Sequence, residues 1–281
     1  MKLFGTKEIK TYVEQILHAR RDELEGRTVV DVPAGSGHSS RILQSLGAKV
    51  AALDLFPDFF RVAGLTCGQA DLAGRLPLPD EHADYVLCQE GIEHMADQLH
   101  SFAELNRIMK PGATLLMTTP NYGMLRARLS YLLGETEFYA KLMPPNELDS
   151  IWFSEGRSDK LYYGHIFLLG IHKLRLLARL SGFRIRKIHH LRANHTSLAL
   201  LVLFYPFILL TNIAAYRRAM RKRTDIDAES RRTVYRETLR LALDPRLLVD
   251  GHLCVEFEKI GTSAETATEL RGKYTGFDIE T

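Results

Sequence analysis

A carboxylate and a glycine-rich turn carry the first chemical signal in this chain. In VVDVPAGSGHSS, residues 29–40, an apolar run ends at Asp31, turns through Pro33, Ala34, Gly35, Ser36 and Gly37, and continues as a helical pattern. Such a turn, after a strand and opening a helix, is where α/β sheets hold nucleotide-like ligands. Glycine lets the backbone approach the ligand, and the helix start offers unpaired N–H groups. A dinucleotide fingerprint would need a third glycine where Ser40 stands. Asp31 would repel a pyrophosphate and attract a cationic head such as a sulfonium amino acid, directly or through water. Many tight strand–helix connections need glycine for φ > 0 alone, so the turn requires company.

The elements that must position these residues follow from period and punctuation. Ile9, Tyr12, Val13, Ile16 and Leu17 recur at helical spacing. TVVDV (28–32) reads as a first strand, 39–46 as a helix stopped by Gly47, and AKVAALDL (48–55) as a second strand. VAGLTCG is a weaker third and ADYVLCQE (83–90) a fourth. A helix marked by Leu99, Phe102, Leu105 and Ile108 ends at Lys110-Pro111-Gly112, before ATLLMTTP (113–120). Nearly all-apolar strands alternating with helices predict an α/β, doubly wound, mostly parallel sheet of seven strands. Residues 122–164 lose all period and read as an irregular lid. A helix over 171–182, a sixth strand over 183–191 and a seventh over 251–260 complete the set.

Once these elements are in order, a resemblance emerges. VVDVPAGSG resembles the first motif of class I S-adenosylmethionine (SAM) methyltransferases, with Pro33 in place of its first glycine. ALDLF, GQADL, DYVLCQEGIEHM, RIMKPGATLLMTTPN and YYGHIFLLGIHKLRLLARLSGF resemble the later motifs in sequence order. The resemblance covers 28–120 most fully, then 163–191, and 251–260 as fold only. It is similar in style to ubiquinone-pathway O-methyltransferases and to bacterial methyltransferases of cell-surface glycans and lipids. It implies SAM as cofactor, Asp54 on the ribose hydroxyls, Asp71 on the adenine amino group, and Leu55 and Leu72 flanking the ring. Asp31, Ala34, Gly35, Gly37 and Gln89 would complete the cofactor site. It further implies in-line methyl transfer, with an antiparallel seventh strand.

For proton transfer the candidates are His94, after Glu93 at the end of the fourth strand, and His165, at the end of the lid. Each has a plainer reading: His94 as a helix cap, His165 as a turn stabiliser. Gln89 and Glu90 suit polar contacts, whereas His189 and His190 suit structure. No carboxylate cluster has metal spacing along the sequence, so no metal is expected.

The chain's 37 Lys and Arg balance 34 Asp and Glu, but residues 193–250 hold ten basic against six acidic side chains. A nucleic-acid substrate is disfavoured, because the Asn/Asp-Pro-Pro-aromatic tetrapeptide of base methyltransferases is missing after the fourth strand. Three dispersed cysteines indicate a reducing cytoplasm, and no signal peptide is expected at the N-terminus. The run SLALLVLFYPFILLTNIAA (197–215), followed by YRRAMRKR, has nearly the length of a bilayer span. A seventh strand beyond it would force both ends of the insertion to one side of a membrane. The open readings are a buried or dimer-forming helix broken near Pro206, a membrane-surface segment over 197–223, or a wall for a lipid-linked substrate.

The expected organisation is a SAM-binding domain (1–192 and 251–260), a helical insertion (193–250) and a flexible tail (261–281). The expected acceptor is a small molecule or lipid-linked glycan, sugar or quinone. The protein would be a monomer or homodimer, cytoplasmic or peripheral on the inner membrane face. The rival readings are a non-catalytic, membrane-docked assembly factor and a nicotinamide dehydrogenase.

Overall fold

The computed structural model describes residues 8–136, 144–153 and 161–273. The strands are β1 (Thr28–Asp31), β2 (Lys49–Asp54), β3 (Cys67–Gln69), β4 (Ala83–Gln89), β5 (Met109–Pro120), β6 (Ile151–Phe153), β7 (Leu161–Tyr163), β8 (Phe183–Ile188) and β9 (His252–Lys259). The helices are α1 (Ile9–Ala19), α2 (Arg21–Leu24), α3 (His38–Ser45), α4 (Gln98–Ile108), α5 (Leu125–Gly134), α6 (Ile171–Leu180), α7 (His195–Lys222), α8 (Ala228–Leu243), α9 (Pro245–Val249) and α10 (Ser263–Arg271).

Seven strands form one sheet in the order β3-β2-β1-β4-β5-β9-β8. β1 to β5 pair in parallel, and β9 runs antiparallel between β5 and β8. The doubly wound sheet is therefore the one that the apolar strands predict. Successive residues of a strand face opposite sides, and β5 shows the consequence. Leu115 and Met117 join Phe102, Leu105 and Ile108 of α4 in one core. Leu116, between them, joins Val13 and Leu17 of α1 and Ile42 and Leu43 of α3 in the other. Phe102, Phe183 and Phe257 lock the first core, with ring centres 6.1–6.4 Å apart at steep angles that aromatic quadrupoles favour.

Several elements depart from expectation. The stretch read as irregular contains α5 and the β6–β7 hairpin. α5 has no side-chain N-cap, and Leu132 and Leu133 stand on its exposed surface, so its sequence shows no amphipathic period. β3 begins at Cys67, later than VAGLT, while Val62 is buried elsewhere. α7 passes unbroken through Pro206. That proline lies on the exposed side, so the carbonyl it leaves unpaired can reach solvent. Residues 263–271 of the expected flexible tail form α10, started by a Thr262–Glu265 capping box.

The Glu256 side chain of β9 is fully buried. It accepts from Arg20 Nε at 2.9 Å and again from the Arg20 guanidinium terminus, and meets His189 Nε2 at 2.6 Å. Burial alone would raise its pKa, but the His189 and Arg20 hydrogen bonds outweigh it and hold the pKa below the usual carboxylate range. Its ionised form therefore stabilises the fold at neutral pH, and that contribution fades as pH falls below the ordinary glutamate range. Glu256→Gln should cost about 3 kcal/mol, read as a lower denaturant midpoint, because Arg20 loses its buried partner.

Candidate active site

The winding of the sheet reverses between β1 and β4, and their C-terminal ends frame the crevice where open α/β sheets place ligands. Asp31 ends β1 with 1% of its surface exposed. Its Oδ2 accepts from Ser40 Oγ at 2.5 Å. Burial pushes its pKa up to about 7, the Ser40 hydrogen bond opposes that rise, and the nearby negative Asp54 adds to it. The serine in the third-glycine position thus has a use that the sequence does not reveal: it anchors the buried aspartate.

The turn beyond is fixed to β2. Ala34 N–H donates to the Leu53 carbonyl at 2.9 Å, and Gly35 N–H donates to Asp54 Oδ2 at 2.7 Å. Asp54 Oδ1 accepts from Phe56 N–H at 2.8 Å. Each oxygen of this 8%-exposed carboxylate keeps a second lone pair, enough for two vicinal hydroxyls. Gly35 and Gly37 both have positive φ, but they differ in their surroundings. A Cβ on Gly35 would meet nothing within 4 Å, whereas one on Gly37 would strike Val62 and Phe60. Only Gly35 leaves backbone open to a ligand; the space over Gly37 is taken by the chain itself.

Asp71 starts beside Asp54, because Ala70 N–H donates to the Asp54 carbonyl at 2.9 Å. Its own carboxylate accepts from Ala73 N–H. Leu55 is half-buried nearby, while Leu72 packs into the main core and is not free to flank a ring. Gln89 Oε1 accepts from Ser39 Oγ, tying the end of β4 to the start of α3. Phe56 sits edge-on to Tyr162 of β7 at 5.4 Å, bringing the hairpin over this side of the crevice. Ser39, Phe56 and Tyr162 carry no signal in the sequence, and Ser40 shows there only as a hydroxyl where a third glycine would stand.

The two histidines meet. His94 and His165 have ring centres 5.0 Å apart. His94 Nδ1 lies 2.8 Å from the Tyr163 carbonyl, so it must carry the proton there, which leaves Nε2 as an acceptor. Glu93 does not orient His94 from the surface. Its side chain points inward, fully buried, with Oε2 accepting from Thr119 Oγ1 at 3.1 Å and Oε1 unpartnered. Burial, with a smaller push from Glu90, raises its pKa to about 8. Glu90 itself adopts φ +49, a strained value for a residue with a side chain, at the end of β4. His189 and His190 face Glu256 and Asp250, in structural pairs.

No metal was expected from the sequence, where His165 lies far from Glu93. The fold gathers Glu93, His94 and His165 so that one ligand atom from each lies within 4.8 Å of the others. That set can exchange protons or hold a divalent cation.

The residues fit SAM on structural grounds. The Gly35 backbone is open, Asp54 has spare acceptor capacity, and no ion pair joins Asp31 or Asp54 to a cation among the described residues. Comparison with known proteins agrees. Residues 30–117 match the family described as Methyltransferase domain. Ubiquinone biosynthesis O-methyltransferase from Xanthomonas campestris pv. campestris is 33% identical over 138 residues, covering 45% of this chain and 56% of that protein. The Methylococcus capsulatus protein of the same name is 29% identical over 155 residues, covering 48% and 65%. The matches thus span little more than half the length of these relatives. In fold, the chain is similar to a SAM dependent methyltransferase from Archaeoglobus fulgidus, with TM-score 0.51, 16% identity, and coverage of 89% and 94%. The [4+2]-cyclase SpnF shares the fold at TM-score 0.50 and 13% identity, covering 92% and 84%. The sheet order, the glycine turn and the aspartates in sequence agree with these matches: the chain has the fold of SAM-dependent methyltransferases, and its residues 30–117 are similar to the methyltransferase domain family.

Proposed function

We propose that this protein methylates an oxygen of a small lipophilic acceptor, a quinone-like phenol or a lipid-linked sugar, using SAM. The observation that carries this reading is the pair Asp31 and Asp54, two carboxylates beside an open glycine backbone with no ion pair to a cation among the described residues. When bound, SAM supplies an electrophilic methyl carbon on a sulfonium. Asp54 receives the ribose hydroxyls, Gly35 admits the ligand against the backbone, and Asp31 offsets its positive charge. His94 takes the hydroxyl proton at Nε2 while its Nδ1–H stays on the Tyr163 carbonyl. Collinear placement supplies most of the acceleration, because the methyl group is already activated. The names of the relatives support an oxygen nucleophile.

Calorimetry tests the cofactor reading. SAM should bind and NAD should not, and Asp54→Ala should weaken SAM by about 100-fold through the lost charged acceptor. Absence of SAM binding in the wild type would overturn the proposal. Asp31 adds a pH signature. A cationic ligand selects its ionised form, so SAM affinity should fall as pH drops below about 7, with proton uptake by the buffer on binding. Asp31→Asn should remove that dependence. It should also stabilise the ligand-free fold at pH 8, because a raised acid pKa costs stability as pH climbs through it. For the base, His94→Gln should lower kcat by about 10² or more with SAM affinity retained.

We further propose that the protein works at an anionic lipid surface. The face of α7 turned from the body presents Val202, Leu203, Phe207 and Leu210, 61–82% exposed, with Pro206 and Ala214 on the same side. Residues 195–224 contain no Asp or Glu. Arg217, Arg218, Arg221 and Lys222 continue this side, and α8 packs alongside with Arg232, Arg236 and Arg240 exposed. α8 returns antiparallel, with Tyr205 Oη donating to the Leu243 carbonyl, and the chain re-enters the sheet at β9. α7 is therefore better suited to lie in the interface than to span it. Vesicles with anionic lipid should carry the protein on flotation, and neutral ones should carry much less. Leu203→Glu with Phe207→Glu should abolish the effect. A soluble homodimer broken by the same pair, with no flotation, would assign the face to a second copy instead.

A further inference from the structure

A cavity of about 500 Å³ opens next to the histidine pair and has no part in the cofactor side of the crevice. Ala96 and Gln98 on its wall follow His94, and Ile166, Phe167 and Leu168 follow His165. Gln98 Nε2 donates to the carbonyls of Ile92 and Phe167, joining these two segments. The rest of the wall is Tyr122, Arg128 and Tyr131 at α5 and Lys173 at α6, with no Asp or Glu among the described residues.

The charged side chains of this wall are all basic. Arg128 and Lys173 have no carboxylate partner among the described residues, whereas Arg20, Arg107 and Arg246 do. Carboxylates raise the pKa of those three, whereas burial lowers that of Arg128. Burial, then repulsion from Arg128 and Arg175, lowers the pKa of His172, whose buried Nδ1 has no partner among the described residues.

Helix geometry adds to the positive field. α5 and α6 start side by side, with Tyr122 N–H donating to the Leu169 carbonyl at 3.1 Å. Gly123 and Gly170 pack so closely that a Cβ on either would lie about 3.5 Å from the other's Cα. Neither helix has a side-chain N-cap or an acidic residue in its first turn. Lys173 nevertheless lies in the first turn of α6, where the helix dipole disfavours a cation. Two solvent-reaching cations with no carboxylate partner among the described residues, and two helix starts, give this cavity a positive field that favours an anion.

We propose that this cavity is the acceptor subsite and takes an anionic group, a carboxylate or a phosphate, held by Arg128 and Lys173 while the acceptor's ring lies against the Tyr122–Tyr131 pair. Those two rings meet edge-on at 6.0 Å, leaving an aromatic wall beside the cations. Naming the ligand an acceptor rests on the methyltransferase reading; the anion site itself does not. The substrate class narrows accordingly, to a hydroxylated aromatic or lipid-linked compound bearing an acidic group near the methylated oxygen.

Titration of the full chain with phenyl phosphate, benzoate and neutral benzamide tests the site, with SAM titrated in parallel. At least one anion should bind about tenfold more tightly than benzamide, as charge-assisted hydrogen bonds to guanidinium and ammonium require. The stronger of phenyl phosphate and benzoate identifies the acidic group. Arg128→Gln and Lys173→Gln should each weaken that anion about tenfold, and Arg128→Lys should restore most of the loss. SAM affinity and thermal midpoint should be unchanged in all three variants, which excludes misfolding. Equal affinity for benzamide, indifference to Arg128→Gln, or no binding of any probe by a protein that binds SAM would overturn the proposal. Anion binding without SAM binding would keep the site and defeat the methyltransferase reading instead.

Discussion

Two carboxylates at the ends of neighbouring strands, with no ion pair to a cation among the described residues, are the constraint around which this structure is arranged. Burial, with Asp54 close by, raises the cost of ionising Asp31. The fold tolerates them because each is held by hydrogen bonds, from Ser40 in one case and from the Gly35 and Phe56 amides in the other. Those same bonds shape the turn. A cationic ligand placed between the two carboxylates would relieve their repulsion.

The cavity walled by α5 and α6 carries the opposite charge. Arg128 and Lys173 have no carboxylate partner there among the described residues, and the chain leads to its wall directly from His94 and from His165, whose rings meet. A cationic donor and an anionic acceptor would thus be drawn to separate halves and meet at the histidines. Each half also repels the other's ligand, which gives order to the site without a large conformational change. The exposed face of α7 belongs to a third region, close in space through its packing against α5 and α9. A lipophilic acceptor could reach the crevice from that side.

The parallel sheet was legible because buried strands announce themselves as unbroken apolar runs, and TVVD, VAALD and YVLC do so. The aspartates were legible because each closes such a run, which places it at a strand end. Other elements hid for specific reasons. α5 shows no amphipathic period, since Leu132 and Leu133 point outward while Ser130 is buried. Pro206 suggested a break, yet the break depends on which side the freed carbonyl faces. Leu72 and Gly37 matched their motif positions, but the side chains around them turned the first into the core and filled the space above the second.

By itself the sequence determined the order of elements, the acidic strand ends and the glycine turn after β1, since each follows from local period and from what one residue can do. Only the tertiary structure decided the pairing of His94 with His165, the inward Glu93, the Ser40 anchor and the cationic cavity. Those arrangements join residues tens of positions apart, and the distance between such side chains is set by packing of helices on the sheet, which no local pattern records.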